Sequence, residues 1–225
     1  MAHSDKISAP LYLRVWGERA CFTRPEMKTE RVSYDVMTPS AARGVLEAIL
    51  WKPQIRWIVE RIDVLRPIRW DSVRRNEIGA RAAPRAILQA AQAGLAAPGI
   101  EIEAERQQRA AMILREVDYV IGARIELTPK AEAGDTTAKY FEMFKRRAGR
   151  GQCFHRPYLG TREFACAFAL AEGPAEEERI PESRDLGWML FDIDYGAQPR
   201  PAFFRATLDG GRLNVPRPDS IEVRR

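Results

Sequence analysis

With 225 residues, 45% of them apolar and 30% charged, the chain can bury one large core, or a domain plus a smaller lobe, which excludes wholesale disorder. No window approaches the roughly 20 apolar residues of a membrane span, and no apolar run of signal-peptide length opens the chain, so a cytosolic protein with no membrane partner is expected. The net charge of +5 is local: seven Lys or Arg and one acid, Glu142, lie between Lys139 and Arg162, and the remainder is close to neutral.

LYLRVWG sets Leu11, Leu13 and Val15 against Tyr12, Arg14 and Trp16, the period of two that marks a strand. In TPSAARGVLEAILWKP, Thr38 can cap a helix that starts at Pro39 and is stopped by Pro53, with Ala42, Val45, Leu46, Ile49 and Leu50 as its apolar stripe. Trp51 reads as a core anchor. IRWIVERIDVLRPI is a second strand ending at Pro67, bulged where its alternation changes phase near Glu60. From 71 to about 112, Ala, Pro, Gly and Arg dominate and only short helical patterns such as PRAILQAAQ appear, so an inserted, mobile excursion is expected.

VDYVIGARIELT alternates cleanly as a third strand. Asp135 or Thr136 can cap the helix TTAKYFEMFKRRA, and REFACAFAL places Phe164, Cys166, Phe168 and Leu170 at alternate positions of a fourth strand. The resulting order, βαββαβ, is the ferredoxin-like (RRM-like) split βαβ of an α+β fold. An acidic loop, GPAEEERIPESRD, then suggests a boundary, dividing a domain over 1–171 from a small antiparallel β lobe over 172–225. In that lobe, Asp209-Gly210-Gly211 reads as a hairpin turn.

The basic helix carries most of the functional signal. At about 100° per residue, Phe141, Phe144 and Ala148 form the expected buried stripe, with Lys139, Met143 and Arg146 opposite and Tyr140 and Arg147 at a flank. Gly149 and Gly151 give RAGRGQ the freedom to wrap a phosphate with main-chain N–H groups. Phe154 and Tyr158 are candidates to stack on unpaired bases, with core packing the simpler role for Phe154. Cys21, Cys153 and Cys166 are odd in number and widely spaced, and His3 and His155 are the only histidines, so no zinc site, metal or disulfide framework is expected. Without GxGxxG, Walker, GxSxG or HExxH motifs, nucleotide-dependent, serine-hydrolase and zinc-protease chemistries lack their parts, and no cofactor is expected.

The runs RVWGERACFTRPEMKTERVSYDVMTPSAARGVLEAILWKP, VRRNE, QQRAAMILREVDYVIGA, GQCFHRPYLGTREF and LGWMLFDIDY resemble the type I-C, d-subtype (Dvulg) branch of the Cas-five family of CRISPR-associated proteins. The resemblance implies a RAMP fold, ferredoxin-like with a C-terminal β lobe. It also implies an endoribonuclease that binds the hairpin of CRISPR repeat RNA, cuts at its 3′ base through the ribose 2′-OH without metal, and keeps the crRNA 5′ handle. As implied partners it brings the backbone and large subunits of the type I-C interference complex and, through them, target DNA. The family's catalytic Lys-His pair falls on Lys139 and Tyr140, and its aromatic or His residue before Trp-Lys-Pro falls on Leu50, which can move no proton.

His155 is the candidate substitute, since imidazole is the side chain that ordinarily titrates near neutrality. Candidate RNA contacts are Arg43 and Lys52 on and just after the first helix, Arg74, Arg75, Arg106 and Arg109 in the insertion, and Lys145, Arg146, Arg147, Arg150, Arg156 and Arg162 in the basic stretch. The lost proton-transfer residues leave a second reading, an RNA-binding subunit that caps the handle without cutting. A duplex-DNA binder lacks a recognition-helix motif.

Overall fold

A computed structural model describes residues 6–96, 98–196 and 198–225, so His3 lies outside the described residues. The first strand, β1, runs Leu11–Ala20, with Leu11, Leu13 and Val15 buried as their alternation requires. Thr38 caps helix α1 (Pro39–Ile49): its side chain accepts from the Ala41 N–H at 3.3 Å, and Pro39 has no N–H to leave unpaired. Ala42, Val45, Leu46 and Ile49 are buried at the spacing read from the sequence. Strand β2 (Ile55–Val64) shifts register between Val59 and Arg61, so the phase change at Glu60 is a bulge.

The segment 71–112 differs from the expected excursion. Strand β3 (Trp70–Ile78) pairs from end to end with residues 106–114 of β4 (Arg106–Leu127), and two short helices, α2 (Pro84–Gln92) and α3 (Ile102–Glu105), close the ribbon. The β3 residues alternate between exposed and half-buried, but most of them are Asp, Ser, Arg, Asn or Glu, so a reading of hydrophobic periodicity passes over the strand. The 22-residue β4 holds β3 and then β2 on one side and β1 on the other. Where its partner changes from β3 to β2, Glu116 has φ 53°, a local break that bends the strand between its two tasks.

Helix α4 spans Thr137–Gly149 and is capped by Thr136, whose hydroxyl accepts from the Lys139 N–H at 3.2 Å. Strand β5 (Ala167–Ala171) starts later than the sequence suggests, since Phe164 and Cys166 belong to the loop before it. Strands β6 (Arg184–Asp194), β7 (Arg200–Asp209) and β8 (Arg212–Asn214) follow. Gly210 and Gly211, at φ 49° and 75°, make the two-residue β7–β8 turn, which only such residues accept without strain.

The sheet order is β5-β1-β4-β2-β8-β7-β6, with β3 beside β4. Its first four strands are the ferredoxin arrangement, with α1 and α4 contributing to one core. β8 pairs with β2, so the C-terminal strands continue the same sheet. There the fully buried Asp63 accepts from Arg212 at 2.9 Å, because a carboxylate removed from water must have a cation beside it. Among the described residues no helix is long and apolar enough to cross a membrane.

The loop between α4 and β5 is seated on β1: the Cys21 N–H donates to the Leu159 carbonyl at 3.0 Å. Gly160, at φ 84°, is required there, because a Cβ would lie 2.0 Å from the Cys21 carbonyl oxygen. Gly160→Ala is therefore expected to destabilise the protein by about 2 kcal/mol or more, combining left-handed strain with a backbone clash, and to lower Tm by roughly 4–8 °C. Thermal unfolding followed by circular dichroism checks this; an unchanged Tm would mean the loop is not seated as described.

Candidate nucleic-acid interface

The buried side of α4 is Tyr140, Phe144 and Ala148, with Phe141 and Met143 partly covered. Tyr140, expected at a flank, is only 3% exposed, and Met143, expected opposite the core, leans on it. The helix is turned this way because the Trp57 ring meets Phe144 edge-on at 4.7 Å and because the Tyr140 hydroxyl finds a partner at the rim of the core. That partner is Asp135, whose Oδ1 accepts from Tyr140 Oη at 2.6 Å and from Lys139 Nζ at 2.9 Å, while Oδ2 accepts from the Glu132 N–H at 3.1 Å.

These bonds fix the protonation states. Donation from Tyr140, then from Lys139, lowers the Asp135 carboxyl to about 2. Desolvation, then the hydrogen bond donated to Asp135, raises the Tyr140 phenol to about 12. At neutral pH Tyr140 is therefore a proton donor committed to Asp135 and cannot serve as a base. The Lys139 side chain, 49% exposed, is held by Asp135 yet open to solvent. Asp135 is the member of this cluster that sequence reasoning passed over. Read only as a helix cap, it carries its signal in the spacing to Lys139, an i,i+4 acid–base pair.

Leu50 is buried, and its carbonyl accepts from Trp57 Nε1 at 3.0 Å. His155 lies elsewhere, exposed on the loop after α4 and edge-on to Phe154, with no hydrogen bond or ion pair from its side chain to another described residue. What joins the two regions is the α1–β2 turn at residues 50–54. Thr128, ahead of α4, donates through N–H to the Gln54 carbonyl at 2.9 Å and through its hydroxyl to the Pro53 carbonyl at 2.7 Å. Beyond α4, the Phe154 N–H donates to the Ala48 carbonyl at 2.8 Å. The segment entering the basic helix thus docks on this turn, and the segment leaving it docks on the last residues of α1 just before the turn.

Two aromatic expectations are reversed here. Trp51, read as a core anchor, is 62% exposed, and Phe154, expected in the core, is 86% exposed. Tyr158 is half-buried, bridged to Ala165. The phosphate wrap expected of RAGRGQ is also not formed: the N–H groups of Arg150, Gly151 and Gln152 donate to the carbonyls of Arg147, Ala148 and Arg147 and finish the helix. Gly151, at φ 64°, permits that ending.

The candidate cations divide into two sets. Arg43 is committed to Glu47 and Asp192, Arg75 to Glu163, Arg109 to Glu77, and Lys145 pairs loosely with Glu142 at 3.7 Å. Arg43 therefore ties α1 to β6. Lys52, Arg74, Arg106, Arg146, Arg150, Arg156 and Arg162 are exposed with no ion pair among the described residues, and Arg147 is half-buried with its Nε unpartnered. On the ribbon, alternation explains the division: Arg75 and Arg109 face each other beside Glu77, whereas Arg74 and Arg106 lie on the opposite face with Asn76 and Gln108.

A split βαβ sheet carrying a cationic helix and an open basic loop places the chain in the ferredoxin-like class of α+β folds. The family model for Cas5d, described as CRISPR-associated protein (Cas_Cas5), matches residues 11–216. The chain belongs to this Cas5d family. It is 52% identical over 219 residues to the CRISPR pre-crRNA endoribonuclease Cas5d of Mannheimia succiniciproducens, covering 95% of this chain and 97% of that protein. It is 41% identical over 227 residues to the protein of the same name from Thermus thermophilus, covering 92% of each. Among solved structures, the fold resembles a CRISPR-associated protein at TM-score 0.69 and 20% identity, covering 98% of this chain and 99% of that one. It also resembles the functionally uncharacterized SMU1763c of Streptococcus mutans at TM-score 0.67 and 21% identity, covering 97% and 98%.

Proposed function

We propose that this chain is a cytosolic pre-crRNA endoribonuclease that binds the CRISPR repeat hairpin, cuts at its 3′ base and keeps the 5′ handle as a subunit of the type I-C interference complex. Kinship over nearly the whole chain with proteins named for that activity carries the reading. In the reaction, a base takes the 2′-hydroxyl proton, O2′ attacks phosphorus, and the P–O5′ bond breaks as the 5′-oxygen takes a proton. The products are a 2′,3′-cyclic phosphate and a 5′-hydroxyl.

Lys139 supplies the fixed positive charge that the phosphorane needs, and Asp135 holds its ammonium in place. Tyr140, with its proton committed to Asp135, is a positioning residue, and His155 is the group left for proton transfer. Lys52, Arg146, Arg150 and Arg156 track the RNA backbone, and Arg74 and Arg106 extend that surface along the β3–β4 ribbon. The division near residues 171/172, in the acidic stretch before β6, separates the RNA-handling domain from the lobe offered to neighbouring subunits, through which target DNA is reached.

A second reading, a non-cutting cap on the handle, is favoured by two observations: Leu50 is buried and the Tyr140 proton is engaged. Incubating the purified protein with its own repeat RNA in EDTA separates the two. Cutting of the all-ribose RNA, with none of a substrate bearing a 2′-deoxy ribose at the cut site, is expected. Tight binding with no product in either case would establish the cap instead.

A further inference from the structure

We propose that Trp51 and Phe154 form a stacking platform for unpaired nucleotides at the foot of the repeat hairpin, next to the cut. The proposal rests on the RNA-binding reading above. Two large aromatic rings exposed to 62% and 86% forgo the burial that such side chains ordinarily gain. Their backbones are fixed to the same helix end. Phe154 N–H is bound to the Ala48 carbonyl, and the turn carrying Trp51 has the Leu50, Pro53 and Gln54 carbonyls all engaged. Rings held on an ordered backbone lose little freedom when a base stacks on them.

The surrounding charge selects the ligand. Lys52 follows Trp51, and Arg156 and Arg150 flank Phe154, all exposed and without ion pairs among the described residues. Aromatic faces interleaved with free cations suit single-stranded nucleic acid, whose bases stack while its phosphates meet the cations. Trp188, also half-exposed, offers a contrast: the guanidinium of Arg205 opposite it is taken by Asp185. The turn bearing Trp51 is also bound, through Thr128, to the segment that leads into Asp135 and Lys139.

The test uses repeat RNA with 2-aminopurine at the first unpaired position beyond the stem, a probe whose fluorescence falls when it stacks. Wild type is expected to quench it. Trp51→Ala should lose the quenching and bind roughly 5- to 100-fold more weakly, Phe154→Ala should weaken binding in the same range, and Trp51→Phe should restore most of both. Both side chains are exposed, so far-UV circular dichroism of the alanine variants should match wild type. Equal binding and equal quenching by wild type and Trp51→Ala would overturn this inference alone, as when the rings serve a protein neighbour. Failure of wild type to bind the RNA would overturn the RNA reading and this inference with it.

Discussion

Lys139→Ala is expected to slow single-turnover cleavage of repeat RNA by about 10²- to 10³-fold, the range for removing one fixed charge or donor from a charged transition state. Affinity should fall only by what one phosphate contact supplies, with the salt slope shallower by about one. The reason lies in the geometry at the head of α4. Asp135 receives Tyr140 and Lys139 on one oxygen, so the ammonium is held in place before substrate arrives and needs no reorganisation as charge develops. A lysine that merely bound RNA would lose rate and affinity together.

The cluster also has a defined pH window. The Asp135 carboxyl is lowered from about 4 to about 2, so its contribution is complete above pH ~4 and is lost as pH falls through about 2. The Tyr140 phenol is raised from about 10 to about 12, so its contribution is complete below pH ~10 and is lost as pH rises through about 12. Between these limits neither group titrates. An inflection of the cleavage rate near neutrality must then come from another group, and its disappearance in His155→Gln would assign it to the imidazole.

Much of the scaffold was legible because it is encoded locally. Thr38-Pro39 marks the start of α1, Glu60 marks the bulge, and Gly210-Gly211 marks the last turn, each through chemistry within a few residues. The β3–β4 ribbon was not, since β3 is mostly polar and its apolar residues Trp70, Val73 and Ile78 keep no period of two. The sequence phases helix α4 a fraction of a turn away from its actual setting. Tyr140, Phe141, Met143 and Phe144 can form more than one stripe, and the choice is made by Trp57 and Asp135. Pairing was hidden wherever it is remote. Arg43 has a local partner in Glu47, four residues on, but its second, Asp192, is 149 residues away and is brought to it only by the packing of α1 on β6. Trp51 looked buried because the apolar stripe runs through its neighbour Leu50, and the chain turns outward one residue later.

The same division between paired and free cations determines which substitutions weaken RNA binding. Replacing Arg146, Arg150 and Arg156 together by alanine removes three exposed guanidiniums without leaving any carboxylate unpaired. Such a variant should fold normally and bind repeat RNA about 10- to 100-fold more weakly at 0.1 M salt. Arg109→Ala, which breaks a pair with Glu77, should leave the salt dependence as it is. The decisive measurement is the slope of log affinity against log salt concentration for repeat RNA, in wild type and in the triple variant. The surface described here predicts a slope shallower by about two to three in the variant, at 0.7–0.9 per lost contact. Identical slopes and affinities would contradict it, because RNA would then be held somewhere other than around α4.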